Sequence, residues 1–442
     1  MDWSKLPDLA AVTLLACAFA AVARRSPAST STLWLTGWVL IALHFAAIIF
    51  APAVGEFGAI ATFIGLASLT WAGTLFIWSS VRYRTERSSR WMMSTLLGTN
   101  TLYIALIVFS PEVSWALTLA AALFGALPLA ITVLNLRTGN HPLRWVSVVL
   151  YSALSIFLFI FQFRSGNGSE IALNAVLFTV YFSCCIHFLY TYRGVTTGGL
   201  ITIAGFFAWA AVFVLAPEIY AFLPNIHLES GVWNLPKYVV AVGMILLVLE
   251  EQIEHNKYLA LHDELTGLPN RRLFQDRLDN ALERARRAQS HTALLLIDLD
   301  QFKQVNDVYG HHIGDLLLKH VGKVFSDRVR RSDTVARTGG DEFSVVLHEP
   351  TSREDAERVG NSLIELLNES FELDNRTMRI GASFGIAVFP EDANDAEGLC
   401  IAADLRMYEF KHKTGLLAGK SRPPVSALFP HVEMESGSRQ AG

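Results

Sequence analysis

Two acidic residues occupy positions where a protein can build a metal site. Asp298 directly follows residues 294–297, an apolar run that fits a central strand buried on both faces. Asp341 lies in a second segment, whose flanks predict a β-hairpin. Mg²⁺ is a hard cation that takes a few carboxylate oxygens and completes its shell with substrate phosphates. The two aspartates therefore predict a divalent-cation site with a phosphorylated substrate, although they do not define the reaction.

The predicted hairpin has a turn suited to phosphate groups. Segments 334–338 and 343–347 flank Gly339 and Gly340, which supply the tight turn. Glycine also lets a phosphate approach the backbone closely. Glu342 follows Asp341, and successive strand residues face opposite ways, so we predict a supporting role for Glu342 at the metal or the hairpin.

Several sequence blocks share their order and spacing with one family. They are DELTGLPNRR at 263–272, DLDQFK at 298–303, ND at 306–307, GH at 310–311, GD at 314–315 and GGDEF at 339–343. Over about residues 258–415 the chain resembles the GGDEF family of diguanylate cyclases. The resemblance implies a ferredoxin-like α/β core, similar to nucleotidyl cyclases, in which each domain binds one GTP. It also implies a homodimer that joins two GTP into cyclic di-GMP and releases pyrophosphate.

The resemblance assigns roles to the acidic residues. It implies that Asp298, Asp341 and the backbone carbonyl of Leu299 bind Mg²⁺ or Mn²⁺, and that Asp341 takes the proton from the attacking hydroxyl. We assign Glu342 to the catalytic residues together with Asp341. Further residues are implied to bind substrate, two as guanine readers and the others around the triphosphate: Asn306 and Asp315, then Gln301, Phe302, Lys411, Gly339 and Gly340.

One departure from the family affects the phosphate end of the site. After Lys411 the family usually has two residues and then Gly-Arg-Asn, whereas this chain continues as His412-Lys413-Thr414-Gly415-Leu416. The second phosphate-binding arginine is therefore missing. Lys413 could replace its charge, but not its bidentate geometry.

The resemblance also implies an inhibitory site that binds product. Arg330 and Asp333 match the family's RxxD sequence upstream of the GGDEF turn, where both would bind guanines of cyclic di-GMP. The further arginine that often completes this site has no clear equivalent, and Arg358 is a displaced substitute.

Strands and helices alternate around these residues. The sequence predicts strands at 293–297, 343–347 and 380–389, and helices at 270–288, 312–330, 353–368 and 396–412. We therefore assign residues 258–420 to an α/β domain. Residues 421–442 have no periodicity and are predicted to be disordered.

The first half of the chain belongs in a lipid bilayer. Of the 442 residues, 52% are hydrophobic and only 17% charged, and the mean hydropathy is +0.36. Residues 1–250 are predicted to form an all-α polytopic membrane domain. Its nine spans fall at about 7–23, 33–53, 58–79, 92–110, 114–135, 143–163, 171–191, 199–220 and 233–250.

Arginine-rich loops set the predicted orientation. Arg24, Arg82, Arg137 and Arg193 lie in alternate loops, which the positive-inside rule places in the cytoplasm. With nine spans, Met1 is then outside and the α/β domain is cytoplasmic, where GTP is available. The expected location is a bacterial inner membrane.

Polar residues within the spans are candidates for sensing an unknown ligand. They are His44, Asn100, Cys184, Cys185 and His187. Packing and interhelical hydrogen bonds are the alternative explanation. Lys237 could likewise meet an anion, and snorkelling to the outer interface is the alternative.

The ninth span is predicted to continue through residues 251–262 as a connecting helix. Leu249, Ile253, Asn256 and Ala260 repeat at a spacing of four, three and four, which favours pairing of two such helices; a plain rigid spacer is the alternative.

Two other functions compete with a cyclase. The domain could have lost turnover and serve as a receptor for cyclic di-GMP or GTP, or the spans could form a transporter or channel. The near absence of charged residues within the spans argues against an ion path. A net charge of −4 without a basic arm gives no indication of a nucleic-acid partner.

Overall fold

The computed structural model describes residues 1–24, 29–53, 56–80, 87–134, 142–162, 168–192, 196–222, 230–350, 352–374 and 376–413. The predicted disordered tail at 421–442 and the side chain of Lys413 lie outside this description. The chain divides into two compact units, Met1–Glu254 and His255–Gly442.

The described part of the first unit is helical. A short 3₁₀ turn, Trp3–Lys5, is followed by α1 (Leu6–Ala23), α2 (Ser29–Phe50), α3 (Glu56–Ser80), α4 (Arg87–Phe109), α5 (Ser114–Leu134), α6 (Pro142–Gln162), α7 (Gly168–Thr191), α8 (Thr197–Phe222) and α9 (Ser230–Leu261). Within the described residues, nine helices are long and apolar enough to cross a membrane, which confirms the predicted helical membrane region. Several begin a few residues before the apolar segment because polar residues complete their first turn.

Helices α3 and α7 pack closely at the centre of this unit. Gly73 of α3 lies against Val180, so closely that a Cβ on Gly73 would overlap that side chain. Tyr181 donates to the carbonyl of Leu69 at 2.9 Å, and Cys184 donates to that of Gly73 at 3.3 Å. A small residue here allows the two backbones to approach.

The polar residues proposed as sensors bond to helix backbone. His44 Nδ1 pairs with the carbonyl of Gly65 and His187 Nδ1 with that of Ser183, each at 2.8 Å. Asn100 Nδ2 donates to the carbonyl of Leu96 at 2.6 Å. These contacts agree with the packing alternative.

Lys237 does not extend to an exposed position. Its side chain is 8% exposed, and Nζ donates to Asn234 Oδ1 at 2.5 Å. Asn234 Nδ2 donates in turn to Asp8 at 2.8 Å, and Nζ lies 4.8 Å from the centre of the Phe45 ring. A polar cluster thus joins α1, α2 and α9 inside the first unit.

The second unit is a three-layer α/β domain, with helices on both faces of its sheet. Its elements after α9 are α10 (Arg271–Ala288), β1 (Thr292–Leu299), α11 (Phe302–Tyr309), α12 (His311–Arg328), β2 (Thr334–Arg337), β3 (Glu342–His348), α13 (Arg353–Asn368), β4 (Phe371–Leu373), β5 (Arg376–Met378), β6 (Ala382–Phe389) and α14 (Ala396–Lys413). The main sheet has the order β2-β3-β1-β6 with antiparallel pairs, and β4 pairs with β5. The predicted α/β class, hairpin and buried central strand are confirmed.

Strand β1 is buried on both faces because its side chains alternate between two cores. Leu295 and Ile297 face a core built with α12 and α13. Leu294 and Leu296 face a second core built with α10 and α14. This central position fixes the end of β1, where Asp298 lies.

Candidate active site

The acidic residues meet where β1 and β3 pair. Asp298 is directly opposite Glu342 in the ladder, and the amide of Leu299 donates to the carbonyl of Asp341 at 3.2 Å. Lys411 reaches the same place from α14, with Nζ 2.5 Å from Asp298 Oδ1. The structure therefore brings the predicted metal and catalytic residues together with one predicted phosphate-binding lysine.

Glu342 lies nearer this cluster than simple strand alternation indicated. Asp341 belongs to the turn, outside β3, so the rule that neighbouring strand residues face opposite ways does not separate the two. Residues directly opposite in an antiparallel pair share a face of the sheet, which puts Glu342 beside Asp298.

Burial and like charges determine the protonation of the cluster. Burial raises the pKa of Asp298 above its ordinary value, against the opposing effect of the Lys411 ammonium, and the charges of Asp341 and Asp300 add to the rise. Burial also raises the pKa of Glu342, and the nearby charges of Asp298 and Asp341 contribute. Carboxylates held close together in this way gain from a cation placed between them.

The donor set fits a hard divalent cation. Within the described ranges, no group of three or more His, Cys, Asp or Glu side chains is already arranged as a metal site. Asp298, Asp341 and the Leu299 carbonyl offer oxygen donors only, which suits Mg²⁺ or Mn²⁺ with further oxygens from phosphate. An ion here would compete with Lys411 for Asp298.

A helix start lies directly after β1. Gln301 has a positive φ of 58°, which turns the chain sharply from the strand into α11. Its side chain makes no capping hydrogen bond to α11. The backbone N–H groups of Phe302 and the next residue are therefore oriented towards the helix start, where a phosphate group is favoured.

The two predicted guanine readers belong to neighbouring helices. Gly310, with a φ of 84°, joins α11 to α12. Asn306 of α11 lies against Gly314, so closely that a Cβ on Gly314 would overlap its carboxamide. Asp315 is the next residue of α12, so both predicted guanine readers lie near the junction of α11 and α12.

The GGDEF turn is held by a residue that sequence reasoning missed. Arg337 Nη2 donates to the carbonyl of Gly340 at 2.8 Å, and Nη1 forms an ion pair with Asp263 at 2.9 Å. The turn also closes on itself, because the amide of Thr338 donates to the carbonyl of Glu342 at 3.0 Å. An arginine two residues before the double glycine, with an acid opening the first matched block, was the available signal.

The RxxD residues lie at a separate place. The Asp333 side chain is 5% exposed, and its carboxylate accepts from the amides of Arg330 and His348, each at 3.0 Å. Asp333 thus ties its own turn to the end of β3, and both Asp333 and Arg330 line a cavity of about 480 Å³. Arg328 and Arg358 line the same cavity, so the displaced arginine does reach it.

An antiparallel α/β domain with carboxylates at the end of its central strand has the oxygen donors that a divalent cation and phosphate groups require. Comparison with known proteins identifies the family of this domain. Residues 260–415 match the family model of the diguanylate cyclase GGDEF domain, and this part of the chain belongs to the GGDEF family.

Similar proteins come from Pseudomonas aeruginosa. The bifunctional diguanylate cyclase/cyclic di-GMP phosphodiesterase MucR is 41% identical over 188 residues, which cover 39% of this chain and 27% of MucR. The diguanylate cyclase TpbB is 38% identical over 166 residues, covering 37% of this chain and 38% of TpbB. A solved structure of the TpbB GGDEF domain alone is 40% identical and covers 34% of this chain and 89% of that one, with a TM-score of 0.34. The chain spans well under half the length of both full-length relatives.

Proposed function

We propose that this protein is a membrane-bound diguanylate cyclase, which condenses two GTP into cyclic di-GMP and pyrophosphate. The observation that carries the proposal is the meeting of Asp298, Asp341, Glu342 and Lys411 at the paired ends of β1 and β3. All the carboxylates that the chemistry needs are present, which favours turnover over a receptor that has lost it.

In the reaction, the 3′-hydroxyl of each GTP attacks the α-phosphate of the other, so that two phosphodiester bonds form and two pyrophosphates leave. Asp298, Asp341 and the Leu299 carbonyl would hold a Mg²⁺ or Mn²⁺ ion, which would neutralise charge at the phosphates. Asp341 accepts the proton of the attacking hydroxyl. Lys411 provides a cation for the triphosphate, beside the N–H groups that begin α11. Glu342 supports the carboxylate arrangement from the opposite strand.

Guanine selection falls to Asn306 and Asp315. An Asp carboxylate accepts from both the N1–H and the 2-amino group of guanine, which adenine does not present together. Gly339 and Gly340 give the phosphates access to the turn backbone. Lys413 replaces the charge of the missing family arginine.

Catalysis requires a homodimer because each domain holds one of the two nucleotides. Ile253 and Asn256, on the part of α9 beyond the apolar span, are exposed, and Ile253 is 52% accessible. An exposed apolar side chain on a heptad-like seam supports pairing with α9 of a second copy. Pairing brings two nucleotide sites face to face.

We infer that the first unit crosses a bacterial inner membrane with its N-terminus outside and the GGDEF domain in the cytoplasm. The nine apolar helices support the spans, and the arginine loops support the orientation. An unidentified sensory ligand acting on this unit would regulate pairing. Product inhibition is proposed through Arg330, with Arg328 and Arg358 in the same cavity and Asp333 holding the turn.

The main alternative is a GGDEF domain without turnover that binds cyclic di-GMP or GTP. Degenerate carboxylates would favour it, whereas Asp298 and Asp341 are both present. The two functions are separated by incubating purified protein in lipid nanodiscs with GTP and Mg²⁺. We expect cyclic di-GMP and pyrophosphate in a ratio of one to two. Tight binding of nucleotide without any product would support the receptor instead.

A further inference from the structure

Arg406 extends from α14 to the turn that follows β6. Its guanidinium forms a bidentate ion pair with Asp392, in which Nη1 donates to Oδ2 at 2.7 Å and Nη2 donates to Oδ1 at 2.6 Å. Nη1 also donates to the carbonyl of Ile386 at 2.5 Å. A bidentate pair fixes direction as well as distance. The contact therefore ties α14 both to β6 and to the turn after it.

Asp392 remains paired even without this arginine. Its side chain is 10% exposed, and it also accepts from Arg353 Nη2 at 2.8 Å and from the amide of Val388 at 2.7 Å. The loss of Arg406 would thus leave a carboxylate with partners on α13 and β6. The fold can tolerate that loss, while α14 loses its bidentate contact with the turn after β6.

The same helix carries Lys411. Ala403 and Met407 of α14 rest on Gly385 of β6, so closely that a Cβ on Gly385 would overlap their backbone. Met407 and Lys411 are four residues apart and share one helix face. Gly385 pairs with Leu296 of β1, two residues before the Asp298 that Lys411 contacts. The rotation of α14 on the sheet therefore decides where the Lys411 ammonium lies.

We propose that Arg406 is a positioning residue for the nucleotide site. The Arg406–Asp392 pair fixes the rotation of α14 and so holds the Lys411 ammonium where Asp298 and the GTP triphosphate meet. The inference rests on the proposed function for the identity of the nucleotide. A catalytic group displaced by about 1 Å can lose roughly 100-fold in rate, so a contact outside the site can matter this much.

The test compares Arg406→Ala, Lys411→Ala and the double variant in the full chain in nanodiscs. Affinity for a non-hydrolysable GTP analogue with Mg²⁺ is measured by calorimetry, and KM and kcat by pyrophosphate release. We expect each single variant to weaken analogue binding by about 10-fold, the size of one charged hydrogen bond. The double variant should bind the analogue no more weakly than Lys411→Ala, because both substitutions remove the same interaction, that of Lys411 with the nucleotide.

Arg353→Ala is the matched control. It removes the other arginine from the same carboxylate but leaves α14 attached, so thermal stability should fall while analogue affinity stays within about twofold. Arg406→Lys keeps the positive charge but cannot form the bidentate pair, so this variant should also bind the analogue weakly. It replaces Arg406→Ala in the comparison if Arg406→Ala does not fold. The proposal would be overturned if Arg353→Ala and Arg406→Ala lost equal affinity for the analogue. It would also be overturned if the loss in the double variant equalled the product of the two single losses. A wild-type protein that binds the analogue without making product would defeat the proposed function, while the affinities would still test Arg406.

Discussion

Gly314 is a residue whose lack of a side chain matters for recognition. A Cβ at this position would overlap the Asn306 carboxamide, which must then move. We expect Gly314→Ala to raise KM for GTP by about 10-fold with little loss of stability, since one hydrogen-bonding group is displaced. Steady-state kinetics with GTP and with inosine triphosphate, which lacks the 2-amino group, measure the effect. An unchanged KM for GTP would remove Asn306 from the recognition set.

Arg330 is the exposed member of the RxxD pair and carries the inhibitory prediction. Arg330→Ala removes a cation from the cavity that Arg328 and Arg358 also line. We expect product to accumulate to a higher level, because cyclic di-GMP binds there about 10-fold more weakly. Initial rates at increasing added product provide the measurement, with Arg287→Ala on the exposed face of α10 as a control. Identical inhibition curves for wild type and Arg330→Ala would refute the inhibitory site.

Among single residues, the two aspartates of the candidate site could be predicted from sequence. Asp298 and Asp341 each follow a recognisable strand or turn. The role of Arg337 could not be predicted, because its partners Asp263 and Gly340 are brought to it only by the fold.

At the scale of elements, hydrophobic periodicity predicted the long helices and the central strands. Each of these elements buries a continuous apolar face, so its apolar residues recur at a regular spacing that the sequence shows. The eight-residue α11 was not predicted, and neither were the three-residue strands β4 and β5. Short elements contain too few apolar residues to show a hydrophobic period in the sequence. In addition, α11 follows Gln301, whose φ is positive. The Lys237 cluster was missed because its partners lie on helices remote in sequence.

The attachment of α14 gives the domain a specific response to acid. The Arg406 guanidinium holds the pKa of Asp392 well below its usual range. The pair therefore stabilises the fold above the ordinary pKa of an aspartate, and this stability is lost as pH falls towards the lower folded value. At neutral pH we expect Asp392→Asn to cost about 2–4 kcal/mol in the free energy of unfolding. Urea unfolding of residues 255–442 should show wild type and variant converging in acid; a constant difference across pH would contradict this origin.

At the scale of the whole molecule, α9 connects the first unit to the GGDEF domain, because it begins in the first unit and runs on to Leu261. Near one end Tyr238 donates to Asp8 at 2.8 Å. Further along, Gln252 donates to the carbonyl of Val22 at 2.9 Å, and the amide of Gly198 donates to Glu250 at 3.1 Å. A movement of α1 or α8 would thus displace α9, the helix that leads into the GGDEF domain.

The two units should be separable. The second unit has cores of its own on both faces of its sheet, so we expect residues 255–442 to fold and stay soluble alone. Without the first unit, pairing depends on collision, and specific activity should rise with protein concentration. Dilution series of the fragment and of the full chain measure this. A fragment whose specific activity does not change on dilution would argue against pairing as the activating step.

The central claim is that Asp341, beside Asp298, Glu342 and Lys411, converts bound GTP to cyclic di-GMP. The most direct measurement is product formation by the full chain with GTP and Mg²⁺, compared with an Asp341→Ala variant whose folding is checked by thermal melting. We expect wild type to form cyclic di-GMP and the variant to fall by at least about 1,000-fold, since it loses both a metal ligand and the proton acceptor. A folded Asp341→Ala variant that made cyclic di-GMP at the wild-type rate would contradict the account.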